Sequence, residues 1–460
     1  MNILAAIGGI INTINEKADK IAKDKEFLIR KGKIEPLTFI LALTLCLADL
    51  HEITLKTILR KCENIQDGLK ISKQALFKRM KAGSKLMEEM YVHIFNETSK
   101  NMVKTGYIKD LNQFTNVYLT DATTISLPDK LEQVYKGLGG KNANSALKIQ
   151  TTYSLLQQKI TSLDIVAATQ NDTKNNQVTI DNIKTGELYI KDLGYYNGEY
   201  FFQIEAKQAY YLSRIKTNTK LFKYDTKEEK YVEIDYCKLY KSVESYIDTE
   251  LFIKLKNKQM LKVRFVCIKL PEEIISTRLC KANKSAKCNG KMLTKKEKLM
   301  LRWNVFITNV KSEMLDAIKI CKLYRVRWQL ELVFKAIKSS LSFDNFGFAG
   351  EHYFKCLLYG KLILLTTSFE LFAMCRKHLY REVGRLVSIQ SFLRNLRLEI
   401  NVILEIVMFA SPDKLSKLSE RLKRIAELSL YDKRNRKTSE EELIDKNNQP
   451  IDIKELRQIC

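Results

Sequence analysis

The chain has no Cys-x-x-Cys pair, and its four histidines, His51, His93, His352 and His378, lie far apart. No cysteine–histidine cluster therefore has the spacing of a zinc site. The ten cysteines are scattered along 460 residues, which points to a reducing cytosol and to thiols used as small core residues. No cationic start precedes an apolar run at the N-terminus, where the first lysine is Lys17, so no signal peptide is expected. Long apolar runs are missing too. Leu37–Leu50 is only 14 residues long, and Cys356–Cys375 is interrupted by Lys361 and Glu370. Both are expected as buried helices rather than membrane spans. Acid is in short supply: Asp+Glu is 53 against Lys+Arg 78, a net charge of +25. That surplus favours a polyanionic partner, most simply nucleic acid. With 45% hydrophobic residues the chain is not disordered, and its length suits about two to four domains.

The most informative stretch present is Tyr324–Lys338, YRVRWQLELVFKAIK, which contains no helix breaker. Tyr324, Arg327, Glu331 and Lys338 are spaced by three, four and seven. On a helix these side chains fall within about 60° of one another. Val326, Leu330, Val333 and Ile337 form a second stripe with core-facing spacing, roughly 120° from the first. One face packs, and the next presents a carboxylate among cations. That face suits a metal and a phosphate backbone, although an ordinary surface helix also shows a polar stripe beside an apolar one.

Upstream, Val117–Leu127 alternates, is rich in β-branched residues and stops at Pro128, as a strand should. Asp121 shares the parity of Val117, Leu119 and Ile125. A carboxylate on the apolar face of a strand is costly unless something pairs with it. Leu147–Leu155 and Ile160–Ala168 continue as an antiparallel meander. A further strand from Glu187 ends at Asp192, again on the parity of Leu188 and Ile190. One such aspartate is an ordinary turn or core residue. Two on separate strands, with a helical glutamate downstream, suit a two-metal site, because paired divalent ions need bridging carboxylates.

Residues 1–110 read as helical. The unit 55–81 has a helix, a turn at Asp67-Gly68, a Ser72 cap and a basic second helix through Lys73, Lys78 and Arg79. This is the layout of a helix-turn-helix, and equally of a plain helical hairpin. Asp192 and Glu331 are separated by 138 residues, too many for one loop. Tyr210–Ile215 reads as a fifth strand. Tyr231–Ile234, Tyr246–Leu255 and Leu261–Leu270 then make a β-rich insertion over 217–300. Its end is a lysine run from Lys281 to Lys298, a solvated loop or a phosphate-tracking surface. Trp303–Val310 returns as a strand. Helices are expected at Tyr353–Leu379, Ile389–Ala410 and Lys414–Leu430, and from Asp432 on only a frayed, charged tail.

The spacing Y-x2-R-x3-E-x6-K resembles the signature of a large group of insertion-sequence transposases of the cut-and-paste DDE type, the YREK group. Trp328 after Arg327 fits it, and so do Asp121-Ala122-Thr123-Thr124 and Asp192-x-Gly194-x-Tyr196. The first of these has Ala122 where Gly or Ser is commoner. The resemblance spans roughly residues 30 to 410. It implies a mixed α+β fold: a helical N-terminal DNA-binding domain (1–110), a ribonuclease-H-like catalytic core in two parts (111–216 and 301–380), the β-rich insertion (217–300), and a helical C-terminal region with a charged tail (381–460). It implies that Asp121, Asp192 and Glu331 are catalytic and hold two Mg²⁺ or Mn²⁺ ions. Water then attacks at the transposon end, and the freed 3′-hydroxyl attacks target DNA. Tyr324, Arg327 and Lys338 would contact phosphates, and Trp328 would stack on an unpaired base or lie in the core. The implied partner is double-stranded DNA, both transposon ends and target, with a dimer in the synaptic complex. The implied setting is the cytoplasm of a bacterium, at the nucleoid. A metal-dependent nuclease of the same fold, or a catalytically dead DNA-binding relative, remain open alternatives.

Overall fold

A computed structural model describes residues 3–28, 33–49, 53–100, 108–139, 144–241, 245–341, 346, 350–399, 403, 412–431 and 438–444. The chain opens with α1 (Ile3–Asp24), α2 (Pro36–Asp49), α3 (Leu55–Ile65) and α4 (Lys73–Lys100). Strands β1 (Asn116–Leu127), β2 (Ser145–Ser154) and β3 (Lys159–Ala167) follow, then α5 (Asp172–Ile180), β4 (Glu187–Lys191), α6 (Gly198–Ala206) and β5 (Tyr210–Arg214). Residues 217–300 supply β6 (Leu221–Asp225), β7 (Lys230–Glu233), α7 (Tyr236–Lys241), β8 (Tyr246–Lys254), β9 (Met260–Lys269), α8 (Glu272–Cys288) and α9 (Lys295–Met300). The chain returns through β10 (Trp303–Thr308), α10 (Ala317–Val326), α11 (Trp328–Leu341), α12 (Glu351–Val383) and α13 (Ile389–Leu398). Among the described residues it closes with α14 (Pro412–Glu427) and α15 (Ser439–Ile444).

All ten strands join one mixed sheet in the order β3-β2-β1-β4-β5-β10-β9-β8-β6-β7. The hairpins β1–β2 and β2–β3 are antiparallel, whereas β1, β4 and β5 run parallel. Parallel pairing needs crossovers, and α5 and α6 supply them. Every residue of β4 is buried, because helices cover both faces of the sheet. One face, with Val117, Leu119, Leu188, Ile190 and Leu212, belongs to a core shared with α1–α4 and α10–α14. The other, with Tyr189, Tyr211, Val263 and Phe265, packs with residues of α6 and α7. The N-terminal helices thus share a continuous hydrophobic core with the sheet, and β6–β9 extend that sheet rather than forming one of their own. The apolar run in α12 is long and apolar enough to cross a membrane. Here it is a core helix, with Leu357, Leu362, Phe369 and Phe372 all 1% exposed or less.

Four sequence expectations change. The YREK run is two helices, with Arg327 in a turn between α10 and α11. The lysine run lies mainly on α8 and α9 rather than in a loop. Glu272 and Glu273 open α8 where they complement the helix dipole, and good helix formers follow. The tail is not wholly frayed. Glu440 of α15 is buried, and it pairs with Arg376 at 2.8 Å. Helix α13 ends at Leu398, and most of the expected remainder to Ala410 lies outside the described residues.

Candidate active site

The parallel register of β1 and β4 places Thr120 opposite Lys191. The next residue along each segment is an aspartate, so Asp121 and Asp192 stand side by side where β4 ends. Parallel neighbours lie about 4.8 Å apart, too close for two ionised carboxylates with nothing between them. Asp121 is still paired across to Thr151 of β2, and its Oδ1 accepts from the Ala122 amide at 2.8 Å. Asp192 ends β4 and opens a tight turn, in which its carbonyl accepts from the Tyr195 amide at 3.0 Å. Helix α11 lies across this edge of the sheet. Its buried stripe, Leu330, Val333 and Ile337, continues that of Val326 and turns Glu331 and Lys338 toward β1. The Lys338 ammonium donates to the Thr124 carbonyl at 3.0 Å.

Arg327 joins these parts. Its Nη1 donates to Asp121 Oδ2 in a short contact. Its Nη2 reaches Glu331 Oε1 at 3.5 Å, and its Nε faces Asp192 Oδ1 at 3.5 Å. The Tyr324 hydroxyl donates to the same Asp192 oxygen at 3.4 Å. The turn at Arg327 is tight, with its amide bonded to the Tyr324 carbonyl and the Leu330 amide bonded to its own carbonyl.

Burial pushes the Asp121 carboxyl up to about 6, against the opposing pull of the Arg327 charge and the Ala122 amide. Burial also disfavours charge on Arg327, but Asp192, Tyr324, Asp121 and Glu331 outweigh it and hold the guanidinium protonated. The Tyr324 phenol, mainly through burial, is pushed up to about 12 and stays a donor. Among the described residues no three Asp, Glu, His or Cys side chains converge closely enough to hold a metal ion as they stand. At this spot a guanidinium joins the three carboxylates. The donor set nevertheless fits a hard divalent cation, being all oxygen and carried by rigid elements.

A family model described as "Transposase DDE domain" matches residues 112–367, more than half of the chain. The chain belongs to the DDE transposase family. The transposase is 29% identical over 372 residues to the transposase for insertion sequence element IS1151 of Clostridium perfringens, covering 78% of this chain and 77% of that one. It is 27% identical over 367 residues to that for IS231F of Bacillus thuringiensis subsp. israelensis, covering 76% of each. A solved piggyBac transposase synaptic complex with hairpin DNA overlays at a TM-score of 0.45 and 8% identity, covering 95% of this chain and 87% of that one.

The remaining residues singled out by sequence are placed as follows. Trp328 is 52% exposed, so the core alternative for its indole falls. Lys73 and Lys78 are exposed on the first turns of α4, where Ser72 caps the helix by accepting from the Ala75 amide at 3.1 Å. Arg79 is turned inward. It donates to the Phe27 carbonyl at 2.6 Å and lies 5.6 Å from the Phe27 ring centroid, so it ties α4 to the segment after α1. The guanidinium is spent on packing because Phe27 itself is fully buried beside it.

Three features escaped the sequence reading. Arg214, at the end of β5, lies 5.5 Å over the Tyr324 ring. Asp172 at the start of α5 accepts from Lys148 at 2.9 Å and Gln150 at 3.1 Å. A Cβ at Gly194 would meet its Oδ2 at 2.8 Å. The glycine of D-x-G thus leaves room for a carboxylate that packs against the turn holding Asp192. The third is the Tyr195 hydroxyl, which donates to Gln150 Oε1 in a short contact and anchors that turn to β2. Only the glycine had any sequence signal.

Proposed function

We propose that this transposase cleaves DNA at the ends of its element and joins them to target DNA by a cut-and-paste route, with Asp121, Asp192 and Glu331 as its catalytic carboxylates. The observation that carries the reading is the register that pairs Thr120 with Lys191 and so sets Asp121 beside Asp192, with Glu331 reaching the same guanidinium from a helix. The strand order β3-β2-β1-β4-β5 with one parallel and one antiparallel half supports a ribonuclease-H-like core. The three carboxylates would hold two Mg²⁺ or Mn²⁺ ions, which when bound activate water and neutralise charge on the phosphodiester.

The chain's own residues do the rest. Tyr324, Arg327 and Lys338 offer a phenol, a guanidinium and an ammonium to backbone phosphates around the scissile bond. Arg214 adds a cation at the same edge. Trp328 presents a free indole face one residue from Arg327, suited to an unpaired base. Lys73 and Lys78 face solvent where the 55–81 unit would meet duplex DNA. The partner is double-stranded DNA, element ends and target alike, and two copies would pair the ends in a synaptic dimer.

The test is Mg²⁺-dependent cleavage of DNA carrying the element's own ends, by the unaltered protein and by Glu331→Gln. The expected result is nicking that the variant loses by at least about a hundredfold, with DNA binding kept. Equal cleavage by both proteins overturns the site assignment. Cleavage without joining to a target plasmid moves the reading to a nuclease of the same fold.

A further inference from the structure

We propose that Arg327 competes with the metal ions for the three carboxylates, so that loading the site requires its guanidinium to leave Asp121. The inference rests on the carboxylate assignment above and adds a regulating contact to it.

Arg327 meets all three carboxylates with three different nitrogens: Nη1 on Asp121, Nη2 on Glu331 and Nε facing Asp192. A cation shared by those carboxylates would occupy the space between them that the guanidinium now fills, and the positive guanidinium repels it there. The guanidinium fits only one of the three well. Its contacts to Asp192 and Glu331 are both 3.5 Å, and its Nε is buried with no hydrogen-bond partner. A planar fork suits two parallel oxygens of one carboxylate, so spreading it over three leaves donors poorly used. It is a weaker ligand for the cluster than it could be.

Charge points the same way. Three carboxylates against one guanidinium leave two negative charges. Two divalent ions beside the same guanidinium would turn that into an excess of two positive charges. The excess is relieved when the guanidinium swings away, and a released guanidinium is a bidentate donor for phosphate. The backbone at Arg327 is fixed by the tight turn between α10 and α11, so the movement is confined to the side chain. The Arg327 side chain is itself 15% exposed, so it already meets solvent from where it sits.

The experiment is Mn²⁺ binding to the full chain without DNA, read by calorimetry and by the Mn²⁺-induced rise in Tm. Arg327→Gln, Glu331→Gln and the unaltered protein are compared. Arg327→Gln is expected to bind Mn²⁺ about tenfold tighter, as expected if one charge-assisted contact no longer competes. Its Tm without metal should fall, and Mn²⁺ should raise it by more than in the unaltered protein. Equal or weaker Mn²⁺ binding by Arg327→Gln overturns the competition. If Arg327→Gln does not fold, Arg327→Met carries the test, since it keeps the apolar stem and removes both the charge and every donor. It too must bind tighter than the unaltered protein, or the proposal fails. Glu331→Gln separates this inference from the reading beneath it. If Glu331→Gln leaves Mn²⁺ binding unchanged, the carboxylate assignment fails. If it weakens binding while Arg327→Gln does not strengthen it, the competition alone fails.

Discussion

Lys191 shows what the site's surroundings cost at the level of one residue. It precedes Asp192, is 2% exposed and meets no carboxylate. Its ammonium donates to Asn176 at 2.9 Å and to Thr179 at 3.4 Å, and lies 4.2 Å over the Tyr200 ring. Burial pushes its pKa down from 10.5 to about 7. The unfolded chain therefore binds this proton up to the ordinary lysine range, while the folded chain releases it near neutrality. Stability from this group is fully present above 10.5, and it is lost as pH falls through about 7. Lys191→Met removes the ionisable group but keeps much of the stem's packing. Urea unfolding of both proteins at about pH 7 and about pH 9.5 should show the unaltered protein gaining stability relative to the variant at the higher pH. Parallel behaviour would mean that the ammonium is solvated or paired in the folded chain.

Among elements, the contact between α2 and α4 is set by a glycine. A Cβ at Gly83 would sit 2.4 Å from Phe39 Cζ and 2.6 Å from its Cε1. Alanine in a helix interior gains about 1 kcal/mol over glycine, and overpacking costs about 1–3 kcal/mol. Overpacking wins here because the Phe39 ring is fully buried and lies 4.9 Å from that of Phe27. Gly83→Ala should therefore destabilise by up to about 2 kcal/mol net in urea unfolding, and Phe39→Leu in the same chain should recover part of the loss. Nothing local in the sequence marks Gly83 for this role, which illustrates a wider division. Alternation and parity were enough to find β1 through β5 and to single out Asp121 and Asp192, because period two and a misplaced carboxylate are local signals. The stripe of Tyr324, Arg327, Glu331 and Lys338 was legible for the same reason. The break at Arg327 was not, since no glycine or proline sits there, and the turn coincides with a guanidinium drawn to carboxylates on two distant strands. The pairing of Thr120 with Lys191, the packing of Asp172 on Gly194 and the docking of α15 through Glu440 and Arg376 are likewise long-range. The sequence also grouped Arg79 with Lys73 and Lys78 as one basic helix, because it carries no trace of the Phe27 carbonyl that captures the guanidinium.

Across the whole molecule, the net charge of +25 acquires direction from the topology. Strand β4 ends at the edge that carries Asp192, β5 is parallel to it, and β10 is antiparallel to β5. Strand β10 therefore begins at that edge, beside the end of β9, where Trp303 pairs with Lys269. Helix α8 starts three residues later and stays close, since Arg278 donates to Asn304 at 2.9 Å. Lys281, Lys284 and Lys287 along it are all exposed. A cationic helix thus rises from the edge where the carboxylates lie, where a duplex engaging the site would pass. Neutralising phosphates releases counterions, so the affinity for DNA falls with salt by a slope of about 0.9 per phosphate contacted. Replacing Lys281, Lys284 and Lys287 together by glutamine should lower that log–log slope by about 2–3 on DNA carrying the element's ends. Mn²⁺ binding without DNA should not change, because none of the three is among the residues bonded to Asp121, Asp192 or Glu331. A slope identical to that of the unaltered protein would place the DNA path elsewhere and leave α8 as a solvated surface. A lower slope with weakened Mn²⁺ binding would instead mean that the substitutions disturb the sheet edge itself.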